Sequence, residues 1–438
     1  MSVPGGVPAG QARSPLAAGS GELRVAPAPR APAARGGAEA AAHAGAAPRV
    51  AVVCDLLEER WPSMDLVADM LLRTLGEMET PGVTAVRVRP SMRRRFTSEP
   101  APGSGADAYE RRLRVNLDRG LNRFWDYPRL LRRRRGEFDV FHVVDHAYGQ
   151  LVHRLPPERT VVTCHDLHTF QCLLEPGRAP RSAMFRAMTG YVLRGLGRAG
   201  RVVFDTAAVR DEAVGRGLVA PERASVAHLG VDPACSPHPD AAADRAAAAL
   251  LGPARSDAPE VLHVGGTFAR KRIDLLLRIF AEVRRAAPGA RLVRVGGPFS
   301  EEQARLAEEL GVADAVAVLP FLDKAVLAAV YRRAALVVLP SEEEGFGLPV
   351  IESMTCGTPV VASDLPVLRE VGGAAATFVA TGDVAAWGAT VARQLAEPAR
   401  DPERWEARRA ASAAQAARFT WQEYARSMVK VYREVAAP

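Results

Sequence analysis

Leu336-Val337-Val338-Leu339-Pro340-Ser341-Glu342-Glu343-Glu344-Gly345-Phe346-Gly347-Leu348-Pro349-Val350-Ile351-Glu352 is the stretch on which the fold turns. Its four leading apolar residues read as a strand buried on both faces. Pro340 ends that strand, and a loop of acids and glycines leads into a helix expected over 349–356. Gly345 and Gly347 let backbone amides come close to a ligand. The helix N-terminus behind them favours a phosphate or another anion. Glu344 and Glu352, with seven residues between them, place one carboxylate on the loop and one in the helix. Two such carboxylates accept hydrogen bonds well from sugar hydroxyls. A plain strand, loop and helix with surface acids is the bland alternative. The agreement of glycines, acids and strand context argues against it.

The pattern repeats outward from this stretch. Strands read at 261–264, 291–295, 315–319 and 359–362, with helical patterns at 273–286, 301–310 and 324–333. Upstream, a second series has strands at 49–55, 83–88, 139–144, 160–164, 201–204 and 225–228. Continuous apolar strands alternating with helices indicate parallel sheets covered on both faces. Between the series, Pro233, Pro237, Pro239, Pro253 and Pro259 surround an alanine-rich piece that reads as a connector. The expected organisation is an Ala/Pro/Gly-rich disordered tail at 1–48, a Rossmann-like α/β domain at 49–235 and a linker at 236–258. A second Rossmann-like domain at 259–419 follows, then a terminal amphipathic helix at 420–438 that returns to the first domain. The tail has too little apolar surface to offset its ordering entropy. Two α/β domains in tandem imply a cleft, with ligands at the carboxyl ends of the strands.

Composition narrows the classes. Apolar residues are 48% of the 438 and charged residues 24%, which suits a globular protein with a sizeable core. No run approaches the roughly 18–20 apolar residues of a membrane-spanning helix. Cys54, Cys164, Cys172, Cys235 and Cys356 form no C-x-x-C pair, which excludes a disulfide scaffold and a cysteine zinc site and suits a reducing compartment. The tail lacks the basic start and apolar core of a secretory signal, so a cytoplasmic location is expected. The net charge is +7, and 15 arginines against five acids between residues 87 and 135 make that stretch strongly basic. An anionic membrane, an anionic substrate and plain solvated faces are its three readings. Arg129, Arg132, Arg133, Arg134 and Arg135 beside Leu130-Leu131, with Arg93-Arg94-Arg95, suit peripheral contact with an anionic bilayer. No nucleic-acid motif or aromatic stacking platform is present.

A second informative stretch is Val264-Gly265-Gly266-Thr267-Phe268-Ala269-Arg270-Lys271-Arg272-Ile273. A strand ends in two glycines, and a helix starts near Arg272. Cations at a helix start do not help its dipole. Arg270 and Lys271 therefore point to a bound anion, and a diphosphate leaving group needs fixed positive charge as its bond breaks. The chain has no D-x-D sequence. That fits a site in which these cations, not a divalent ion, hold the diphosphate.

Glu344 and Glu352 in E-x7-E spacing, followed by Cys356-Gly357-Thr358-Pro359-Val360-Val361-Ala362-Ser363, resemble the signature of the family 4 glycosyltransferases, retaining enzymes of GT-B fold. The resemblance covers most of 261–432. It implies that Glu344 contacts donor-sugar hydroxyls and Glu352 the ribose hydroxyls. It also places the amides of Gly345, Phe346 and Gly347 beside the donor sugar and phosphate. Arg270 and Lys271 match the pair that binds the donor diphosphate, next to Gly265 and Gly266; relatives often carry arginine where Gly266 stands. Leu365-Pro366 resembles the family's loop near the donor. On the acceptor side, His146 follows Asp145, and His165 precedes Asp166, each pair at the end of a strand. Histidines there suit hydrogen bonding to a phosphate or a reacting hydroxyl, and a structural role weighs equally. The family often has a histidine after each of these strands, which makes both candidates. Where relatives carry a glycine-rich loop after the first strand, this chain has Asp55-Leu56-Leu57-Glu58-Glu59-Arg60-Trp61-Pro62-Ser63-Met64.

The function these readings lead to is transfer of a sugar from a nucleotide diphosphate sugar to an acceptor hydroxyl, with no metal and no cofactor beyond the donor substrate. The resemblance implies retention of configuration. Glycans, lipid-linked glycans and small molecules stay open as acceptors. A nucleotide-sugar epimerase of the same fold, and a non-catalytic nucleotide-sugar or membrane-binding module of a polysaccharide assembly complex, are the rivals.

Overall fold

The computed structural model describes residues 47–59, 61–79, 82–97 and 108–437. The tail expected at 1–48 falls almost wholly outside the described residues. Two six-stranded sheets organise the rest. The first contains β1 (Arg49–Val53), β2 (Thr84–Val88), β3 (Val140–Val143), β4 (Thr160–Cys164), β5 (Arg201–Phe204) and β6 (Ala224–Val226), in the order β2-β1-β3-β4-β5-β6. The second contains β7 (Glu260–Val264), β8 (Arg291–Val295), β9 (Val316–Leu319), β10 (Leu336–Leu339), β11 (Val360–Ser363) and β12 (Thr377–Val379), in the order β12-β11-β10-β7-β8-β9. Every strand pair is parallel. This is the GT-B arrangement of two doubly wound sheets.

In each sheet the winding reverses once. The reversal falls between β1 and β3 in the first sheet and between β7 and β10 in the second. The crevice outside the strand ends at such a reversal is where open α/β sheets bind ligands. The strands carry chiefly Val, with Leu and Phe, on both faces because both faces are covered. In the first sheet, Val50 and Val52 pack with Leu71 of helix Pro62–Glu77 and with Tyr424 and Met428 of the final helix. Phe141 and Val162 pack on the other face with Tyr148, Leu151 and Leu196. In the second sheet, Val261, Leu292 and Val338 bury Leu276, Phe280 and Trp387. Leu262, Val337 and Leu339 face Val350, Ile351 and Met354.

The final helix, Trp421–Ala436, is capped by Thr420, whose hydroxyl accepts from the Glu423 amide at 3.2 Å. Trp421, Tyr424, Ala425, Met428, Tyr432 and Val435 are buried at helical spacing. They bury against the first sheet: the Tyr432 hydroxyl meets Nδ1 of His142 on β3 at 2.7 Å. The stretch expected to be a bare connector contains a helix, Ala241–Leu251, capped by Asp240. It docks on helix Lys324–Arg333, with Arg332 on Asp244 at 2.6 Å and Arg333 donating to the Gly252 carbonyl at 3.0 Å. Its alanines gave no apolar periodicity, yet their small size lets the two helices come close. All five cysteines are free and buried. Among the described residues, no helix is long and apolar enough to cross a membrane.

Candidate functional site

The loops after β7 and β10 meet at the reversal of the second sheet. Lys271 Nζ lies 2.6 Å from Oε1 of Glu344, and Arg270 Nη1 lies 3.6 Å from Oε2. Lys271 is buried, and the Glu344 carboxylate is only 6% exposed. Arg270 also donates to the Glu343 carbonyl at 3.2 Å, and the Glu342 amide donates to the Arg270 carbonyl at 2.8 Å. The two cations sit on a single tight turn, Ala269–Lys271, one residue before helix Ile273–Ala286. Arg272 closes that turn with φ +48°, the one non-glycine residue with positive φ among those described. Such a backbone costs on the order of 1 kcal/mol. Its guanidinium holds Asp274 and Glu342, the latter at 2.6 Å, which ties the two loops together.

Beneath the loops, fully buried Arg294 donates to the carbonyls of Gly265 and Gly297. Burial lowers its pKa. Gly266 lies against the Phe268 ring. His263 is fully buried between Lys271 and Arg294, and burial, then those two cations, push its pKa down to about 3. It is a neutral filler below the site. Glu352 joins a different network. It is buried, takes a hydrogen bond from the Tyr331 hydroxyl at 2.9 Å, and has Lys324 at 3.8 Å. Burial raises its pKa, and Lys324 works against that rise.

The acceptor-side candidates stand at the ends of β3 and β4. Both ring nitrogens of His165 are engaged within the first sheet: Nδ1 with Asp205 at 2.7 Å and Nε2 with the Val144 carbonyl at 2.8 Å. A carboxylate and a carbonyl both require a donor, so the ring carries two protons. Burial opposes that charge, but Asp205 outweighs it and holds the pKa up to about 10. Both ring nitrogens of this catalytic candidate are thus committed to partners within the first sheet. His146 Nδ1 accepts from the His165 amide at 3.3 Å. Its Nε2 lies 3.0 Å from Thr169 Oγ1 and 3.6 Å from Asp166. His146 therefore reaches the cleft only through Asp166. Burial works against the Asp166 charge, but His146, Arg270 and His165 hold its pKa below the usual carboxylate range. Asp145 caps the turn His146–Arg154, accepting from the Ala147 amide at 2.7 Å. Beside it, Asp55 is buried with both oxygens lacking a hydrogen-bond partner among the described residues. Burial, then the charge of Asp145, pushes its pKa up to about 9.

The two halves touch across the cleft. A Cβ placed on Gly345 would lie 2.1 Å from the His165 carbonyl oxygen, so only glycine lets the loop approach this closely. Gly347 has φ +89° and opens helix Leu348–Thr355. The buried Phe346 ring packs against Phe419 and His228. Glu343 takes hydrogen bonds from His168 and Gln171, each at 3.1 Å, and Arg178 approaches Glu342 and Glu343 at 3.5 Å. Glu370 accepts from the amides of Ala207 and Ala208, at 2.7 and 3.0 Å, capping helix Ala207–Gly215 from the other domain. His228 lies 2.8 Å from the same carboxylate. A cavity of about 170 Å³ brings together His165, Asp166, Arg270, Lys271, Glu344, Gly345, Phe346 and Gly347. A neighbour of about 420 Å³ adds Leu365 and Pro366 to Asp166, Arg270, Glu344 and Gly345. Gly265, Gly266, Asp145, His146 and Glu352 line neither. Among the described residues, no three His, Cys, Asp or Glu side chains are grouped to hold a metal ion.

Sequence reading missed Asp205, Arg272, Arg294, Glu370 and Tyr331. Arg272 had a signal, since it adjoins the two cations at a strand-to-helix turn. The others act through partners far along the chain, where no local pattern marks them.

The family model described as Glycosyl transferases group 1 matches residues 252–413, and that described as Glycosyltransferase Family 4 matches residues 86–234. D-inositol 3-phosphate glycosyltransferase of Thermobispora bispora is 34% identical over 322 residues, covering 68% of this chain and 71% of the relative. The protein of the same name from Segniliparus rotundus is 40% identical over 225 residues, 49% of this chain and 47% of that one, so the chain spans about half its length. Sucrose-phosphate synthase from Thermosynechococcus elongatus superposes with a TM-score of 0.67 at 21% identity, over 88% of this chain and 98% of its own. Anabaena HepE, solved with UDP and glucose, gives 0.65 at 15% identity, over 88% and 100%. These two likenesses speak to fold alone.

Proposed function

The chain belongs to the group 1 glycosyl transferases of glycosyltransferase family 4, and on that footing we propose that it moves a hexosyl unit from a nucleotide diphosphate sugar to an acceptor hydroxyl, with retention and without a metal ion. The observation that carries this reading is the pairing of Lys271 and Arg270 with Glu344 at the reversal of the second sheet. Two fixed cations at the strand ends suit a diphosphate leaving group. The donor would split the pair: its phosphates take Lys271 and Arg270, and its sugar hydroxyls donate to Glu344. Gly345 and Gly347 offer backbone amides at the same place, and Glu352 takes the ribose hydroxyls on the family pattern.

No nucleophile is evident in the sequence, so the step is taken as front-face substitution. The bond from the anomeric carbon to the diphosphate oxygen breaks as the acceptor oxygen bonds to the same carbon on the same face. The acceptor proton passes to the departing phosphate oxygen. Arg270 and Lys271 stabilise the charge that develops there. Asp166, held ionised beside Arg270, accepts from an acceptor hydroxyl and orients it. Anabaena HepE, of like fold, was solved with UDP and UDP-glucose, and the curated relatives are named for D-inositol 3-phosphate. For this chain the setting is synthesis of a polysaccharide, glycolipid or other glycoconjugate in the cytoplasm. Contact with the membrane face belongs to the same reading.

Thermal unfolding with UDP-, GDP- and ADP-sugars, each with EDTA, tests the donor site. A donor at a hundred times its Kd adds about 2.7 kcal/mol, a rise of about 2–4 °C. One nucleotide class should raise the midpoint, and nucleotide release should then require an acceptor alcohol. A folded protein that shifts with none of the three overturns the donor assignment. A shift abolished by EDTA overturns metal independence.

A further inference from the structure

Eight of the fifteen large apolar side chains that stand exposed among the described residues lie in two short segments, 113–125 and 184–188. In the first, Leu113, Leu117 and Leu121 recur every four residues along helix Ala108–Leu121, and Trp125 follows in the π-helical turn Asn122–Asp126. Residues spaced so lie on one side of a helix. In the second, Met184 and Met188 open helix Ala183–Arg198, and Met184 is 81% exposed. Tyr191, three residues after Met188, meets Phe124 with ring centroids 6.4 Å apart. The two segments therefore form one apolar band.

Among the described side chains of residues 113–133 and 181–198, the exposed charges are all arginines. The band's acids turn inward: Asp118 is buried and accepts from the amides of Arg95, Phe96 and Thr97, and Asp126 is held by both nitrogens of the Arg95 guanidinium at 2.7 and 2.8 Å. Arg129, Arg132, Arg133, Arg181, Arg186 and Arg194 are exposed. Residues 181–198 contain no acid at all. The Arg129 guanidinium lies 3.2 Å from the Trp125 ring centroid, bridging the apolar and cationic parts. A cavity of about 160 Å³ beside it is lined by Ser91, Arg93, Asn122, Asp126, Arg129 and Arg133.

We propose that this face docks the protein on an anionic lipid bilayer, with the leucine, methionine and tryptophan side chains in the headgroup boundary and the arginines on lipid phosphates. An apolar helix face flanked by cations is the chemistry of interfacial binding. The Arg93, Arg129 and Arg133 cavity takes a phosphate headgroup. Charge decides against a second copy as the occupant, because two such faces would set arginine against arginine. The inference deepens the membrane contact proposed above, and its test does not depend on the transfer reaction.

Co-sedimentation of the full chain with vesicles of phosphatidylcholine alone, or of phosphatidylcholine and phosphatidylglycerol in equal parts, tests it. Binding is expected to the anionic vesicles and to be lost in high salt. Leu117→Glu with Leu121→Glu should lower partitioning by more than about tenfold. Arg129→Glu with Arg133→Glu should lower it by about tenfold. Both should keep the wild-type unfolding midpoint, since all four side chains are exposed. Absence of binding to anionic vesicles overturns the proposal, as does equal binding by the variants. A dimer in light scattering that the leucine variant dissociates also overturns it, by making the face an interface between copies.

Discussion

The two sheets wind alike, yet their reversals carry opposite chemistry. Between β7 and β10, Lys271 meets Glu344 at 2.6 Å and Arg270 stands 3.6 Å from the same carboxylate. Between β1 and β3, the facing groups are two acids, Asp55 and Asp145. Arg123 is near enough to oppose the rise in Asp55, but not to cancel it. One acid is therefore protonated at neutral pH. Strand order decides where chemistry sits, and the residues at the strand ends decide which charge that place can hold. The second reversal sets Lys271 and Arg270 against the Glu344 carboxylate. The first keeps a proton on Asp55.

The sharpest break in this contrast is Lys271→Ala. Turnover should fall about 10²–10³-fold. Stability should fall by about 3 kcal/mol, because Glu344 is left buried and unpaired. Adding Glu344→Ala should restore most of the stability and none of the turnover in steady-state and denaturation assays. Unchanged turnover in the single variant would remove Lys271 from the leaving-group site.

Asp205→Ala probes the other half. The buried His165 imidazolium loses its counter-charge, a cost of about 3 kcal/mol, while turnover per folded molecule should change little. The pair stabilises fully below the unfolded histidine range, near about 6.5, and that contribution is lost as pH rises through about 10. A large fall in turnover at intact stability would return His165 to the chemistry.

Asp55→Asn should have the smallest effect. The folded pKa of Asp55 is raised to about 9, so its contribution is present below the unfolded carboxylate range and is lost as pH rises through about 9. Wild-type stability should accordingly decline from mildly acidic to alkaline pH. The amide should flatten that decline and add on the order of 1–2 kcal/mol at its alkaline end, read from denaturant midpoints across pH. An unchanged slope would mean that Asp55 is ionised in the folded protein.

The strands were legible because each is a short, continuous apolar run between turn signals, and the loops because Arg270-Lys271 and Glu344-Gly345-Phe346-Gly347 concentrate charge and glycine locally. The helix inside the expected connector was not, since alanine carries little apolar signal. Nor was the cap that Glu370 places on Ala207 and Ala208 from the opposite domain.

By itself the sequence determined the two α/β series, the loops that carry the cations and acids, and the family they resemble, all properties of neighbouring residues. Tertiary structure decided which of those groups pair. Lys271 and Glu344 stand 73 positions apart, and His165 and Asp205 stand 40 apart. Whether a buried ring or carboxyl keeps its proton depends on the charge packed against it, and that neighbour is chosen by the fold.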